Sequence, residues 1–227
     1  MARRRTWATE HARALACVTA TALVALTATA CSSGDSGSRV EGLCGPAADS
    51  IAGKSLREVL GTDDFTAEAL TSDERFAERF KKDLEEWGGG PNSTSPSFVC
   101  KFVPDGSENH VVLGFAWSPA GQPDKERAEG GKAYDVSGAT GTALPLAAEL
   151  FTPCELGGEL SGPSRKAVLR ADATLTVDRG RDTDRQREAS ELSFLYLMTR
   201  EAAKVLGCEN HPLADDPVVK PLTGSTL

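Results

Sequence analysis

The sequence predicts an α+β domain: an antiparallel sheet of about five strands, helices packed on one face, and two disulfides. Three observations carry that reading. Two segments repeat apolar residues at helical spacing, near residues 73–87 and 185–206. Alternating or continuous apolar runs between them have strand length and are bounded by Gly, Pro, Asp and Ser. Four cysteines remain once the N-terminal segment is set aside. Of 227 residues, 40% are hydrophobic and 26% charged, which suits a packed core and argues against global disorder.

Taken in order, residues 46–60 read as a helical stretch interrupted near Gly53. Ser55 would cap its second part and Gly61 would end it. Thr71-Ser72-Asp73-Glu74 is a capping box that opens a helix running to Trp87, stopped by Gly88-Gly89-Gly90. Phe76, Phe80, Leu84 and Trp87 fall at spacings of four and three, a stripe that reads as core rather than ligand platform. Residues 97–103 and 110–117 form two strands around the turn Pro104-Asp105-Gly106-Ser107. A polar loop over 118–132 leads to a short strand at 133–136. Residues 144–156 and 167–177 are the last two strands, with a Gly/Ser/Pro turn over 157–164 between them.

The final helix has Asp182 or Asp184 as cap, residues 185–206 as body and Gly207 as stop. Leu192, Leu195, Tyr196, Met198, Ala202, Val205 and Leu206 give it a core face. Beyond Leu213, Pro217 and Pro221 suggest a flexible tail. The expected organisation is therefore a signal segment over 1–30, a tether over 31–42, one domain over 43–213 and a tail over 214–227.

The first thirty residues stand apart from the fold. Arg3, Arg4, Arg5 and Arg13 make a positive start, and seventeen uncharged residues follow from Ala14 to Ala30. That run ends in Ala28-Thr29-Ala30 directly before Cys31. The pattern resembles a bacterial lipoprotein signal peptide, with Ala28 where that class usually has Leu. The resemblance implies a lipidated Cys31, a palmitate-type membrane anchor, as residue one of the mature chain. Plain secretion with cleavage after Ala30, and a retained span, stay open beside it. Arg4-Arg5 also leaves a twin-arginine route open against general secretion. Ser32-Ser33-Gly34-Asp35-Ser36-Gly37-Ser38 has no core-forming side chain. A tether of this composition over 31–42 reaches about 19 Å.

Formal charge is −8, which argues against a nucleic-acid partner. Without residues 1–30 the chain has 21 basic and 32 acidic residues, a net of −11. So acidic a surface is repelled by anionic lipid, leaving the lipid on Cys31 as the membrane contact.

Cys44, Cys100, Cys154 and Cys208 are an even set, which in an exported chain reads as two disulfides. Three pairings are possible. Cys44–Cys100 with Cys154–Cys208 is favoured, because each pair closes a loop within one half of the chain. A zinc site would need ligand pairs that the spacing does not supply. Cys17 follows too short an apolar run to be a lipidation site and is read as part of the signal.

Catalytic patterns are sparse. The sequence has no Gly-x-Ser-x-Gly, Ser-x-x-Lys, His-Glu-x-x-His or P-loop. His110 and His211 read as surface residues. Asp178, Asp182 and Asp184 alternate with Arg179, Arg181 and Arg185, which fits turns and caps better than a calcium loop. No cofactor or metal is called for. Leu43-Cys44-Gly45-Pro46, Val99-Cys100-Lys101-Phe102, Thr152-Pro153-Cys154-Glu155-Leu156 and Val205-Leu206-Gly207-Cys208 resemble the cysteine framework of small secreted lipoproteins of high-GC Gram-positive (actinobacterial, Streptomyces-like) type. The resemblance implies an envelope lipoprotein and assigns it no activity. The expected function is a non-catalytic binding or scaffold module, with an unknown envelope protein or small ligand as partner. Two alternatives are a carrier of a small apolar ligand held between sheet and helices, and a cell-wall hydrolase using a carboxylate pair.

Overall fold

Residues 167–175 alternate buried and less buried side chains as the sequence predicts, and the pairing of the strands sets the architecture. The computed structural model describes residues 42–122, 131–176 and 185–222. After a 3-10 turn at Gly42–Cys44 come α1 (Ile51–Leu60), β1 (Phe65–Ala69), α2 (Asp73–Trp87), β2 (Ser97–Pro104) and β3 (Val111–Pro119). Then follow β4 (Lys132–Val136), β5 (Ala139–Leu144), β6 (Ala147–Thr152), a short α3 (Ser161–Ser164), β7 (Ala167–Leu175), α4 (Arg185–Leu206) and β8 (Val219–Pro221). All eight strands form one antiparallel sheet in the order β1-β2-β3-β7-β6-β5-β4-β8.

The α+β class, the antiparallel sheet and the two disulfides are as the sequence predicts. The strand number is not: the sheet has eight strands rather than about five. Strand β1 was not expected. Its five residues alternate apolar and polar, with Phe65 edge-on to Phe102, but the run is short and three of its side chains are exposed, so the sequence pattern alone does not mark it. Residues 144–156 do not form one strand. Residues 139–152 fold instead as the hairpin β5–β6, turning between Leu144 and Ala147. Residues 214–222 are not a loose tail. Val219–Pro221 pair with Tyr134–Val136 as the edge strand β8, a position where a proline costs no ladder bond. Residues 223–227 lie outside the described part, as do the signal, the tether, Cys31 and the candidate caps Asp182 and Asp184.

The sheet is two meanders joined at one seam. β1-β2-β3 run in chain order, β7-β6-β5-β4 in reverse, and β3 meets β7 over nine register pairs from Val111↔Leu175 to Pro119↔Ala167. One sheet face carries the core. Leu113, Phe115 and Trp117 of β3 point to it and are fully buried. Helix α2 lays Phe76 on Phe115 and Phe80 on Trp117, with ring centroids 5.4 and 4.8 Å apart. The Trp117 indole N–H donates to the Phe80 carbonyl at 2.9 Å, so the buried ring leaves no polar atom unpaired. Helix α4 packs beside α2. Its Phe194 meets Phe102 edge-on at 5.5 Å, and Leu192, Leu195, Ala202 and Leu206 are fully buried.

Two glycines explain how closely the layers approach. A Cβ on Gly141 of β5 would come 2.9 Å from Leu192 of α4, so this small-residue strand lets the helix sit tightly on the sheet. The expected break at Gly53 does not occur. Helix α1 runs unbroken and is capped by Ser50, whose hydroxyl accepts from the Gly53 N–H at 3.1 Å. Gly53 is there for space, because a Cβ would lie 2.4 Å from the Ala47 carbonyl oxygen. Gly53→Ala gains about 1 kcal/mol of helix propensity. Forcing a methyl against rigid backbone costs on the order of 3 kcal/mol. The clash wins, and urea unfolding of Gly53→Ala should show a net loss of about 2 kcal/mol; an unchanged or raised midpoint would contradict this packing.

Candidate functional site

Both expected disulfides form: Cys44–Cys100 and Cys154–Cys208, with Cα atoms 5.4 and 5.1 Å apart. Each joins a helix-side segment to the sheet. The first links the turn before α1 to β2, and the second links Cys208, two residues past the end of α4, to the chain leaving β6. The second bridge is reinforced by Asn210, whose amide donates to the Pro153 carbonyl at 3.1 Å and accepts from the Glu155 N–H at 3.0 Å.

The histidines stay apart. His110 shares its Nδ1 with the Thr176 hydroxyl and the Glu108 carbonyl, each at 3.1 Å, at the start of β3. His211 is exposed beyond α4. Asp178, Asp182 and Asp184 lie outside the described residues. Among the described residues no group of three or more His, Cys, Asp or Glu side chains is placed to hold a metal ion.

The structure brings together charges that sequence reading missed. Glu188, near the start of α4, is buried, and both its oxygens are engaged. One accepts from the Tyr134 hydroxyl, the other from the Lys132 ammonium at 2.7 Å. One turn on, the buried Glu191 lies 3.7 Å from Arg187, whose guanidinium also donates to the Val59 carbonyl at 2.7 Å. Ser190 donates to Glu58 at 2.6 Å. This network ties α4 to β4 on one side and to α1 on the other. The only sequence signal was charge on a helix, which ordinarily means a solvent face.

A second carboxylate pair lies on the sheet face away from the helices. Glu149 and Asp172 stand directly opposite each other on β6 and β7. Arg170, two residues along β7, holds Asp172 with its Nε 3.0 and 3.1 Å from the two carboxylate oxygens. Two concavities flank α4. One, of about 400 Å³, lies between the segment 42–52 and α4 and includes Ile51, Leu197 and Met198. The other, of about 280 Å³, lies between the last turns of α4 and residues 211–214. Arg200 borders both. The space between sheet and helices, by contrast, is filled: Leu56, Leu113, Phe115, Leu150 and Leu195 have no exposed surface.

Comparison with known protein families, characterised proteins and solved structures finds no match to this chain.

The chain has two tyrosines, and both are buried. Burial pushes the Tyr134 phenol well above its usual range, and the Glu188 carboxylate that accepts its proton pushes the same way. Burial also raises Tyr196, with nearby Arg200 opposing it. In the unfolded chain both phenols lose their protons near pH 10. Their contribution to stability is therefore complete below about pH 10 and lost as pH climbs from there towards the folded-state values. An alkaline titration followed by tyrosinate absorbance should show no phenol ionising near pH 10 while the fold persists. One tyrosine titrating normally in folded protein would refute this burial.

Proposed function

We propose that this chain is a lipid-anchored extracytoplasmic protein that acts as a binding or scaffold module of the cell envelope rather than as a catalyst. The observation that carries the anchor is the sequence itself: a basic start, an uncharged run and Ala28-Thr29-Ala30-Cys31, followed by a Gly/Ser tether. Support for the compartment comes from two formed disulfides, which fit an oxidising, extracytoplasmic setting. Among the described residues no helix is long and apolar enough to cross a membrane. A lipid on Cys31 would then hold a net-acidic domain at the membrane surface.

The binding reading is supported by where the strong charges go. Glu188 is committed to Tyr134 and Lys132, and Asp172 to Arg170, contacts that hold elements together. The carrier reading loses its expected place, because the layer interface is filled. Metabolic labelling with a fatty-acid analogue tests the anchor. Wild-type protein should incorporate label and partition with the membrane, whereas Cys31→Ala should lose the label and appear in the soluble exported fraction. Equal labelling of the two would overturn the reading.

A further inference from the structure

Strand β1 is one end of the sheet, and its outward edge has backbone groups to spare. The Asp105 N–H donates to the Asp64 carbonyl and the Leu70 N–H to the Val99 carbonyl, at 3.3 and 2.8 Å. In an antiparallel ladder these bonds flank the non-hydrogen-bonded pairs Phe65↔Pro104 and Ala69↔Cys100, so Thr66 and Glu68 make the ladder bonds to β2. The N–H and C=O groups of Phe65, Ala67 and Ala69 therefore point away from the sheet. Among the described residues no hydrogen bond reaches them. An unpaired row of this kind is a template for another strand.

The edge has a chemical pattern as well. Phe65 and Ala67 pack against the core and so belong to the inner face. Asp64, Thr66, Glu68 and Leu70 take the alternate positions and are all exposed. Asp105, which accepts from the Thr66 hydroxyl at 3.4 Å, adds a third exposed carboxylate. Lys101 stands opposite Glu68 on β2. The outer face continues apolar. Leu70 is 45% exposed and Phe98 50%, and the Phe98 ring lies across Gly114 of β3, where a Cβ would come 2.9 Å from it. A strand added at this edge meets apolar positions on its inner side and carboxylates, ending in Leu70, on its outer side. The matching segment alternates apolar and cationic residues. Three carboxylates against one ammonium repel a second copy of so acidic a chain and attract a basic segment.

We propose that the β1 edge captures an extended segment of a partner protein, alternating apolar and basic residues, as a ninth antiparallel strand. Such a strand exchanges backbone hydrogen bonds with Phe65, Ala67 and Ala69, sets its cations against Asp64 and Glu68, and covers Leu70. The proposal rests on the anchored binding-module reading and gives it a surface and a partner chemistry. The test uses the exported full chain carrying Cys31→Ala. Its probe is a fluorescein-labelled peptide of about seven residues alternating lysine and valine, read by fluorescence anisotropy. Saturable one-to-one binding is expected, weakened by salt. The valines stand opposite Phe65, Ala67 and Ala69, so their N–H groups face β1 and those of the lysines face away. N-methylation at the valines should therefore abolish binding and N-methylation at the lysines should spare it. A peptide with glutamate for lysine, or with the same residues in two blocks, should not bind. Ala67→Pro, which removes an outward N–H and no ladder bond, should weaken binding about tenfold. Glu68→Lys, at an exposed position, should weaken it about fivefold. Leu146→Asp, exposed on the turn between β5 and β6, should leave it unchanged. Absence of saturable binding, equal loss on methylating lysines or valines, binding of the acidic peptide, or a dimer of the chain itself that Ala67→Pro dissolves would overturn the proposal. Labelling at Cys31 in cells without peptide binding would overturn the edge and leave the anchor standing. Binding with Cys31 unlabelled would overturn the anchor and leave the edge standing.

Discussion

Two covalent bridges between the helical layer and the sheet are the constraint on which the rest of this structure depends. The helices and the main apolar core lie on one face of the eight-stranded sheet, so its stability rests on how firmly that layer is seated. Cys44–Cys100 fastens the entry to α1 onto β2, and Cys154–Cys208 fastens the exit of α4 to the end of β6. Sequence separations of 56 and 54 give chain-entropy contributions of about 4 kcal/mol each. Against the 5–15 kcal/mol that roughly bounds a domain's net stability, either bridge is a large share. The seam between β3 and β7 complements them by joining the two meanders, one bridge serving each half.

Inside this frame, aromatic packing and a buried charge network divide the work. Phe76, Phe80, Phe115 and Trp117 stack α2 on β3, and their energy is area burial with little directional demand. Around Glu188 the requirement is directional. A carboxylate in that position is tolerable only because Tyr134 and Lys132 both donate to it. That requirement fixes the rotation of α4 relative to β4, which apolar contacts alone would leave loose. The same helix presents its other side to the hollows around Arg200, so register and candidate site are set by one element.

Where large apolar residues follow a period, the fold was legible in the sequence. The stripe from Phe76 to Leu84, the turn at 104–107 and the body of α4 at 185–206 all stand where the pattern puts them. Elements lacking large apolar side chains were not legible. Strand β5, with Thr140, Gly141 and Thr142 at its centre, owes its place to Leu192 needing room above Gly141. Strands β1 and β8 are short edge strands of five and three residues, each with only a few side chains reaching the core. The hollows beside α4 were invisible for a different reason. One is assembled from the segment 42–52 and α4, the other from the end of α4 and residues 211–214, and no local spacing joins these. Likewise, Glu188 reads as a surface charge until Tyr134 is seen above it, 54 residues away in sequence.

The claim that two bridges clamp the helices to the sheet is tested most directly by peptide mapping of exported protein, digested without reduction. The account predicts two linked pairs, Cys44 with Cys100 and Cys154 with Cys208, and no free thiol among these four. Cys44 linked to Cys208, Cys100 linked to Cys154, or four free thiols in exported protein would contradict it.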